Sequence, residues 1–246
     1  MLYMALKKTV VGPLMSRLVH HEMQGVKNLP QTGAILASNH LAFCDSIFLP
    51  LAVPRQVYFL AKSDYFTGTG IQGAVSRWFF TAVGQLPLDR SGGAKSQASL
   101  DGGAQKLQEG GYLGIYPEGT RSPDGRGYRA KLGVARLALT QRVPVVPVGQ
   151  IGNNDFQPSG SNKINLRKNG KKVTIRTVIG EPLDFSEYWD RAKDHKVQRM
   201  VADKISAAIR ELSEQEYVPL YASDVKDLMA EKNISASAAV EELLNK

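Results

Sequence analysis

Cysteine is almost absent: Cys44 is the single thiol among 246 residues, so no disulfide can form within the chain, a usage that suits a reducing compartment. No stretch offers the ~20 mostly apolar residues a membrane-spanning helix needs. The nearest, 34–53, is interrupted by Asn39, His40 and Asp45, which would be costly to bury in lipid. The N-terminus carries Lys7 and Lys8 inside its apolar run rather than ahead of it and lacks a small-residue cleavage pattern, so it does not read as a signal peptide. Its four histidines have no ligand-like spacing with one another or with Cys44, and no metal site is expected. Dinucleotide and Walker fingerprints are missing, and with them any reason to expect a nucleotide cofactor. The G-x-S-x-G elbow of serine hydrolases is missing too. Zinc-finger spacings, RNP-like aromatic strands and basic heptads do not occur either, which argues against a nucleic-acid partner.

What is abundant is positive charge: 31 Lys and Arg stand against 23 Asp and Glu, a formal net charge of +8. Such a surface attracts anions, which leaves anionic membrane and phosphorylated metabolites as the partners to weigh. Residues 1–19 mix apolar patches (Leu2, Tyr3, Met4, Leu6, Val10, Val11, Leu14, Met15) with Lys7, Lys8 and Arg17. The pattern predicts a basic amphipathic helix kinked at Gly12-Pro13. It suits either packing on its own domain or lying in a membrane interface. Further on, short apolar runs at 34–38, 57–61, 112–116, 145–149 and 173–179 read as strands, most without the alternation of a half-exposed sheet. Helical patterns near 46–53, 69–82, 94–108 and 131–141 lie between them. The expectation is an α/β fold with a mostly parallel or mixed central sheet flanked by helices. The aromatic cluster Trp78, Phe79 and Phe80 suits a core or a membrane interface. Segment 152–172 reads as a loop or long hairpin, and 186–246 as a helical extension with Asp224 and Ser235 as N-caps. The organisation expected is a membrane-associating helix at 1–25, a catalytic domain at 26–185, and the extension at 186–246 packed on it.

Four blocks carry chemistry. Asn39-His40-Leu41-Ala42-Phe43-Cys44-Asp45 follows an apolar strand, where α/β folds commonly build sites. Histidine titrates near physiological pH and can take a hydroxyl proton, and a carboxylate on its other nitrogen would orient it. A separation of five is off-register on one helix, so His40 belongs in the turn and Asp45 in the first turn of the helix after it. A surface histidine beside a capping aspartate would leave the same trace. A thiol four positions from His40 also admits covalent transfer through Cys44. The second block, Tyr116-Pro117-Glu118-Gly119-Thr120-Arg121-Ser122, presents an arginine on a loop, able to grip phosphate bidentately. A tight turn with a Glu–Arg ion pair would explain it equally. The third, Gly84 to Arg90, offers another arginine beyond a short extended run. The fourth, Val143-Pro144-Val145-Val146-Pro147-Val148, predicts an edge or irregular strand forming an apolar wall. Lys62 after the second strand and Lys131 at the opening of the next helix add candidate phosphate contacts.

In this order the blocks resemble the 1-acylglycerol-3-phosphate acyltransferase family and its glycerolipid acyltransferase relatives, in particular bacterial members, over about residues 26–180. The resemblance implies the glycerol-3-phosphate acyltransferase-like fold and direct acyl transfer without an acyl-enzyme. It assigns His40 as general base, Asp45 as its orienting partner, and Asn39 and Pro117 as supporting residues. Arg90, Glu118 and Arg121 would position the glycerol phosphate, with Gly119 and Thr120 shaping the loop and Lys62 and Lys131 assisting. The donor it implies is acyl-CoA or an acyl carrier protein, with no cofactor. The acceptor would be lysophosphatidic acid, or by the same chemistry glycerol 3-phosphate or another lysophospholipid. The setting would be the cytoplasmic face of the cell membrane, held peripherally or monotopically. A non-catalytic basic lipid-binding module would explain the charge but not the His40–Asp45 spacing.

Overall fold

The computed structural model describes residues 2–62, 67–70, 73–74, 77, 84–88, 102–159, 161 and 163–245. The apolar runs form a seven-stranded sheet. Its strands are β1 (His20–Gln24), β2 (Ala34–Ser38), β3 (Val57–Lys62), β4 (Gln85–Leu88), β5 (Tyr112–Ile115), β7 (Val145–Ile151) and β10 (Thr174–Ile179). They lie in the order β1-β10-β7-β2-β5-β3-β4. From β7 to β4 all neighbours are parallel; β10 runs antiparallel to β7, and β1 parallel to β10. A two-stranded parallel pair, β6 (Gly127–Tyr128) with β11 (Tyr217–Val218), and a hairpin of β8 (Arg167–Lys168) with β9 (Lys171–Lys172) complete the strands.

Strand β2 is buried along its whole length because both sheet faces are covered. Alternate residues feed two cores. Ile35, Ala37, Leu113 and Val145 point to the face covered by helices Gly133–Gln141 and His195–Ser213. Ala34, Leu36, Val57, Phe59, Val146 and Val148 point to the other, beneath Leu49 and Val53 at the end of helix Asp45–Ala52. Helix His195–Ser213 supplies Val197, Val201, Ala202, Ile205 and Ile209 to the first core. Val201 and Ile205 are fully buried, each contributing roughly 1.5–3 kcal/mol. Its backbone lies so close to β7 that a Cβ on Gly149 would sit 2.5 Å from the Leu212 carbonyl carbon. The segment after 186 therefore shares the core of the sheet, and the pair Ala222–Lys232 and Ala236–Leu244 builds a smaller core around Tyr128 and Val218.

The connections place the site. From β2 the chain crosses β5 by way of helix Asp45–Ala52 to reach β3; from β5 it crosses β2 by way of Gly133–Gln141 to reach β7. The two crossovers run in opposite directions over opposite faces, so β2 and β5 are a topological switch point, with a crevice beyond their carboxyl ends. His40 and Glu118 stand on the loops that leave those two strand ends.

Several expectations change. The valine-proline strand β7 is central, not an edge: it pairs with both β2 and β10. Pro147 is tolerated because its missing donor falls where β10 has ended at Ile179, while its carbonyl still accepts from Gly180 N–H at 2.9 Å. The N-terminal helix stops at Leu18, and the rest of 1–25 includes β1, which joins the main sheet through β10. In place of a simple kink, a π-helical turn, Lys7–Val11, precedes the segment Gly12–Leu18 that contains Pro13. Tyr221, not Asp224, is the N-cap of Ala222–Lys232; Asp224 sits in its first turn, where a carboxylate favours the helix dipole. Ser235 caps the last helix by accepting from Ala238 N–H. Segment 152–172 holds a one-turn helix, Asn153–Phe156, and the short β8–β9 hairpin. The expected helix at 94–108 is helical over 102–108 and otherwise lies outside the described residues, as do most of 69–82, its aromatic cluster and Arg90.

Candidate active site

Asp45 opens helix Asp45–Ala52 and its side chain is fully buried. Four donors converge on it. Oδ2 accepts from the amides of Leu41 and Ala42 at 2.6 and 2.9 Å and lies 2.8 Å from His40 Nδ1. Oδ1 accepts from Asn153 Nδ2 at 2.7 Å. This set is the complement of a carboxylate anion, and it lets the helix fix the ring through one hydrogen bond. His40 sits in the turn between β2 and that helix, its side chain 17% exposed. The Tyr116 ring stacks on the imidazole, centroids 3.8 Å apart and planes within 8°. Tyr116 is itself held through its hydroxyl, 3.0 Å from Ser46 Oγ, and by the Phe59 ring, its centroid 5.7 Å away.

The asparagine of the first block is a strut. Asn39 Nδ2 donates to the Gln150 carbonyl at 2.9 Å, and its Oδ1 accepts from Gln150 N–H at 2.8 Å. Gln150 Nε2 donates to the Asp45 carbonyl at 3.3 Å, and its Oε1 accepts from Asn153 Nδ2 at 3.0 Å. The end of β7 and the helix after it thus clamp the His40 turn. Spacing alone does not single out Gln150 or Asn153: they fall at the end of an apolar strand and in a polar stretch that looks like loop.

The second block lies against the first. Ser122 N–H donates to the His40 carbonyl at 2.7 Å. Gly119 adopts φ +76°, a conformation that favours glycine, and the Lys131 side chain lies over it. Lys131 itself precedes helix Gly133–Gln141 rather than opening it, its amide donating to the Pro117 carbonyl at 2.8 Å. Glu118 is buried, and its Oε2 has no hydrogen-bond partner. Burial pushes its carboxyl up to about 8; the charge of Asp45 adds to this, while the amides of Tyr128 and His40 and the charge of Arg210 oppose it. Among the described residues Glu118 makes no ion pair with Arg121, which is exposed. Lys226, from the C-terminal helices, donates to Thr120 Oγ1 at 3.2 Å. Lys62 ends β3 with its side chain outside the described residues, so neither it nor Arg90 is placed relative to the loop.

Cys44 faces away from this chemistry. It is buried, with Sγ 3.8 Å from the Asn153 carbonyl, and burial together with the Asp45 charge pushes its thiol well up from the ordinary range. A thiolate is therefore disfavoured where it stands, which removes the basis for nucleophilic transfer. Among the described residues no cluster of three or more His, Cys, Asp or Glu side chains could hold a metal ion.

The chain is similar in sequence and fold to known proteins. A family model described as Acyltransferase matches residues 20–150. A chloroplastic 1-acyl-sn-glycerol-3-phosphate acyltransferase of Brassica napus is 29% identical over 166 residues, covering 67% of this chain and 46% of that protein. A 1-acyl-sn-glycerol-3-phosphate acyltransferase of Bacillus subtilis is 28% identical over 188 residues, 76% of this chain and 84% of that one. The crystal structure of the 1-acyl-sn-glycerophosphate acyltransferase PlsC from Thermotoga maritima superposes with a TM-score of 0.62 at 23% identity, covering 85% of this chain and 79% of that one, a likeness of fold. The chain spans about half the length of the plant relatives it matches, 46% and 44%.

Proposed function

The chain belongs to the acyltransferase family, and from that premise we propose that it transfers a fatty acyl group from a thioester to the free hydroxyl of 1-acylglycerol 3-phosphate, forming phosphatidic acid. The observation that carries the reading is the His40–Asp45 pair, set 2.8 Å apart at the strand end that faces the Glu118–Arg121 loop. With Nδ1–H donated to Asp45, the other ring nitrogen, Nε2, is the base. It takes the acceptor hydroxyl proton as the oxygen attacks the thioester carbonyl. The tetrahedral intermediate collapses with loss of the thiolate, which takes the proton back from the imidazolium, so the ester and a free thiol leave and the enzyme is unchanged. Asp45 stabilises the imidazolium, and Tyr116 keeps the ring from turning. Arg121 and Lys131 face the acceptor phosphate, with Arg90 and Lys62 as further phosphate contacts. The donor is acyl-CoA or acyl carrier protein, and no cofactor enters.

The setting we propose is the cytoplasmic face of the cell membrane, held peripherally or monotopically. Among the described residues no helix is long and apolar enough to cross a membrane. The N-terminal helical segment exposes Leu2, Val10 and Leu14, and Phe43 is exposed beside His40, which supports interfacial contact near the site. Lys7 takes no part in that contact: it turns inward to donate to the carbonyls of Pro50 and Val53 at the end of helix Asp45–Ala52.

The test is thiol release from acyl-CoA across an acceptor panel of lysophosphatidic acid, glycerol 3-phosphate and other lysophospholipids. Wild-type protein is expected to favour lysophosphatidic acid, and His40→Ala to lose about 10²-fold or more while still binding vesicles. Full activity in His40→Ala would overturn the mechanism, and vesicle binding without turnover by wild-type protein would leave a lipid-binding module.

A further inference from the structure

The loop Pro117 to Ser122 is held from beyond the matched family region. β11 pairs with β6, Arg129 N–H donates to the Leu220 carbonyl at 2.9 Å, and the Arg129 guanidinium lies 5.4 Å from the Tyr221 ring centroid. Gln215 Nε2 donates to the Gly125 carbonyl at 2.6 Å. Val218, Ala222, Val225 and Leu228 then close over the buried Tyr128. These contacts present one face of helix Ala222–Lys232 to the loop, and the side chain at that face is Lys226.

Lys226 is an unusual lysine. It is half-buried, donates to Thr120 Oγ1 at 3.2 Å, and among the described residues forms no salt bridge. The charges that act on it are Arg121, a second cation, and Glu118, whose carboxyl burial pushes up to about 8. Lys226 reaches Thr120, the residue before Arg121, so the two cations share one loop and repel one another in the free protein. Burial and Arg121 both press the Lys226 ammonium toward deprotonation. An anion seated between them relieves that repulsion. A phosphomonoester suits the place best, because it carries about −1.5 to −2 near pH 7 and three strong acceptor oxygens, enough to bind an ammonium and a guanidinium together.

We propose that Lys226 is a phosphate-binding residue of the acceptor site, contributed by the C-terminal helices, and that with Arg121 it selects acceptors bearing a phosphomonoester. The proposal rests on the acyltransferase reading for the acceptor's identity, but not for the anion site itself. Thr120 keeps Lys226 aimed at the loop, and the Lys131 chain over Gly119 bounds the other side.

Three proteins test it: wild type, Lys226→Met, which keeps the side-chain length without charge, and Lys226→Arg. With lysophosphatidic acid as acceptor, Lys226→Met should raise KM about tenfold with kcat within about twofold, the size expected for losing one charge-assisted hydrogen bond. Lys226→Arg should restore most of the KM. With lysophosphatidylcholine, a phosphodiester, any turnover should be far less affected. An unchanged KM in folded Lys226→Met, or a fall confined to kcat, overturns the assignment. Should wild-type protein fail to acylate lysophosphatidic acid, the acyltransferase reading fails by itself, and calorimetric titration with glycerol 3-phosphate judges the anion site. About tenfold weaker binding in Lys226→Met upholds it; equal binding, or none by wild type, refutes it.

Discussion

Replacing Glu118 by glutamine isolates the cost of holding a carboxyl in a place that resists its charge. Below about pH 4.5 the group is protonated in folded and unfolded chains alike. Above that value the unfolded chain releases the proton, while the folded chain keeps it until about pH 8. The folded protein then binds more protons than the unfolded one, so stability falls as pH rises across this window. Each pH unit costs roughly 1.4 kcal/mol, and the loss at pH 7 is about 3 kcal/mol. Glutamine has nearly the shape of the neutral acid and does not titrate. It leaves the same position, that of the partnerless Oε2, unsatisfied, so near pH 4.5 the two proteins should differ little.

The assay is urea unfolding of wild type and Glu118→Gln between pH 4.5 and 8.5, with activity set aside. The variant should draw ahead steadily, by about 3 kcal/mol at pH 7, with the difference levelling off above pH 8. Water entering the pocket would shrink the slope but not reverse it. A gap that stays constant from pH 5 to pH 8 would refute the reasoning, since it would mean that Glu118 ionises as readily folded as unfolded.

Two further outcomes follow from particular contacts. Asn153→Ala strips the donor from Asp45 Oδ1; the orphaned buried oxygen should cost roughly 1–3 kcal/mol in denaturant melts, and kcat should fall about tenfold as the His40–Asp45 pair loses its alignment. Val10→Ser with Leu14→Ser should weaken partition onto anionic vesicles about tenfold without moving the thermal midpoint, since both side chains are exposed. Deleting the whole N-terminal helix is the poorer experiment, because it also removes Lys7 from the end of the Asp45 helix and Tyr3 from beside Val57.

The legible part of this protein is the part written locally. Short apolar runs mark the strands, and β2, β3, β5, β7 and β10 fall where such runs occur; β2 and β7, without alternation, are buried nearly throughout, whereas β10 alternates buried with more exposed residues. The five-residue spacing of His40 and Asp45 places a turn before a helix, and that is their arrangement. Strand order is another matter. That β5 inserts between β2 and β3 depends on crossovers no single run encodes, and Pro147 suggests an edge because its tolerance depends on where β10 stops. β1 is hidden because His20, His21 and Glu22 look like loop; His21 is nonetheless half-buried, Nε2 2.9 Å from Thr177 Oγ1, and burial holds its imidazole down at about 4. Asn153 and Lys226 are invisible for a third reason: each is an ordinary polar residue on its own segment, distinguished only by the partner brought to it from more than 100 positions away.

Two carboxylates lie within one Coulombic neighbourhood here, and the fold treats them oppositely. Asp45 receives two amides, an imidazole and an asparagine, every one able to donate. Glu118 is left with a bare oxygen, and the Asp45 charge is among the causes that keep it neutral. The consequence is electrostatic. In the proposed acceptor site a phosphate approaching the loop would meet Arg121, Lys131 and Lys226 with the Glu118 carboxyl neutral. Were Glu118 charged, it would pair with Arg121 or Lys226 and compete with the phosphate for the same donors. Burying it achieves at neutral pH what an apolar residue would, while keeping the amides of His40 and Tyr128 paired with a polar side chain. The hydrogen bonds on Asp45 hold the His40 ring in place, and burial, with the Asp45 charge adding to it, keeps Glu118 neutral beside the proposed phosphate loop.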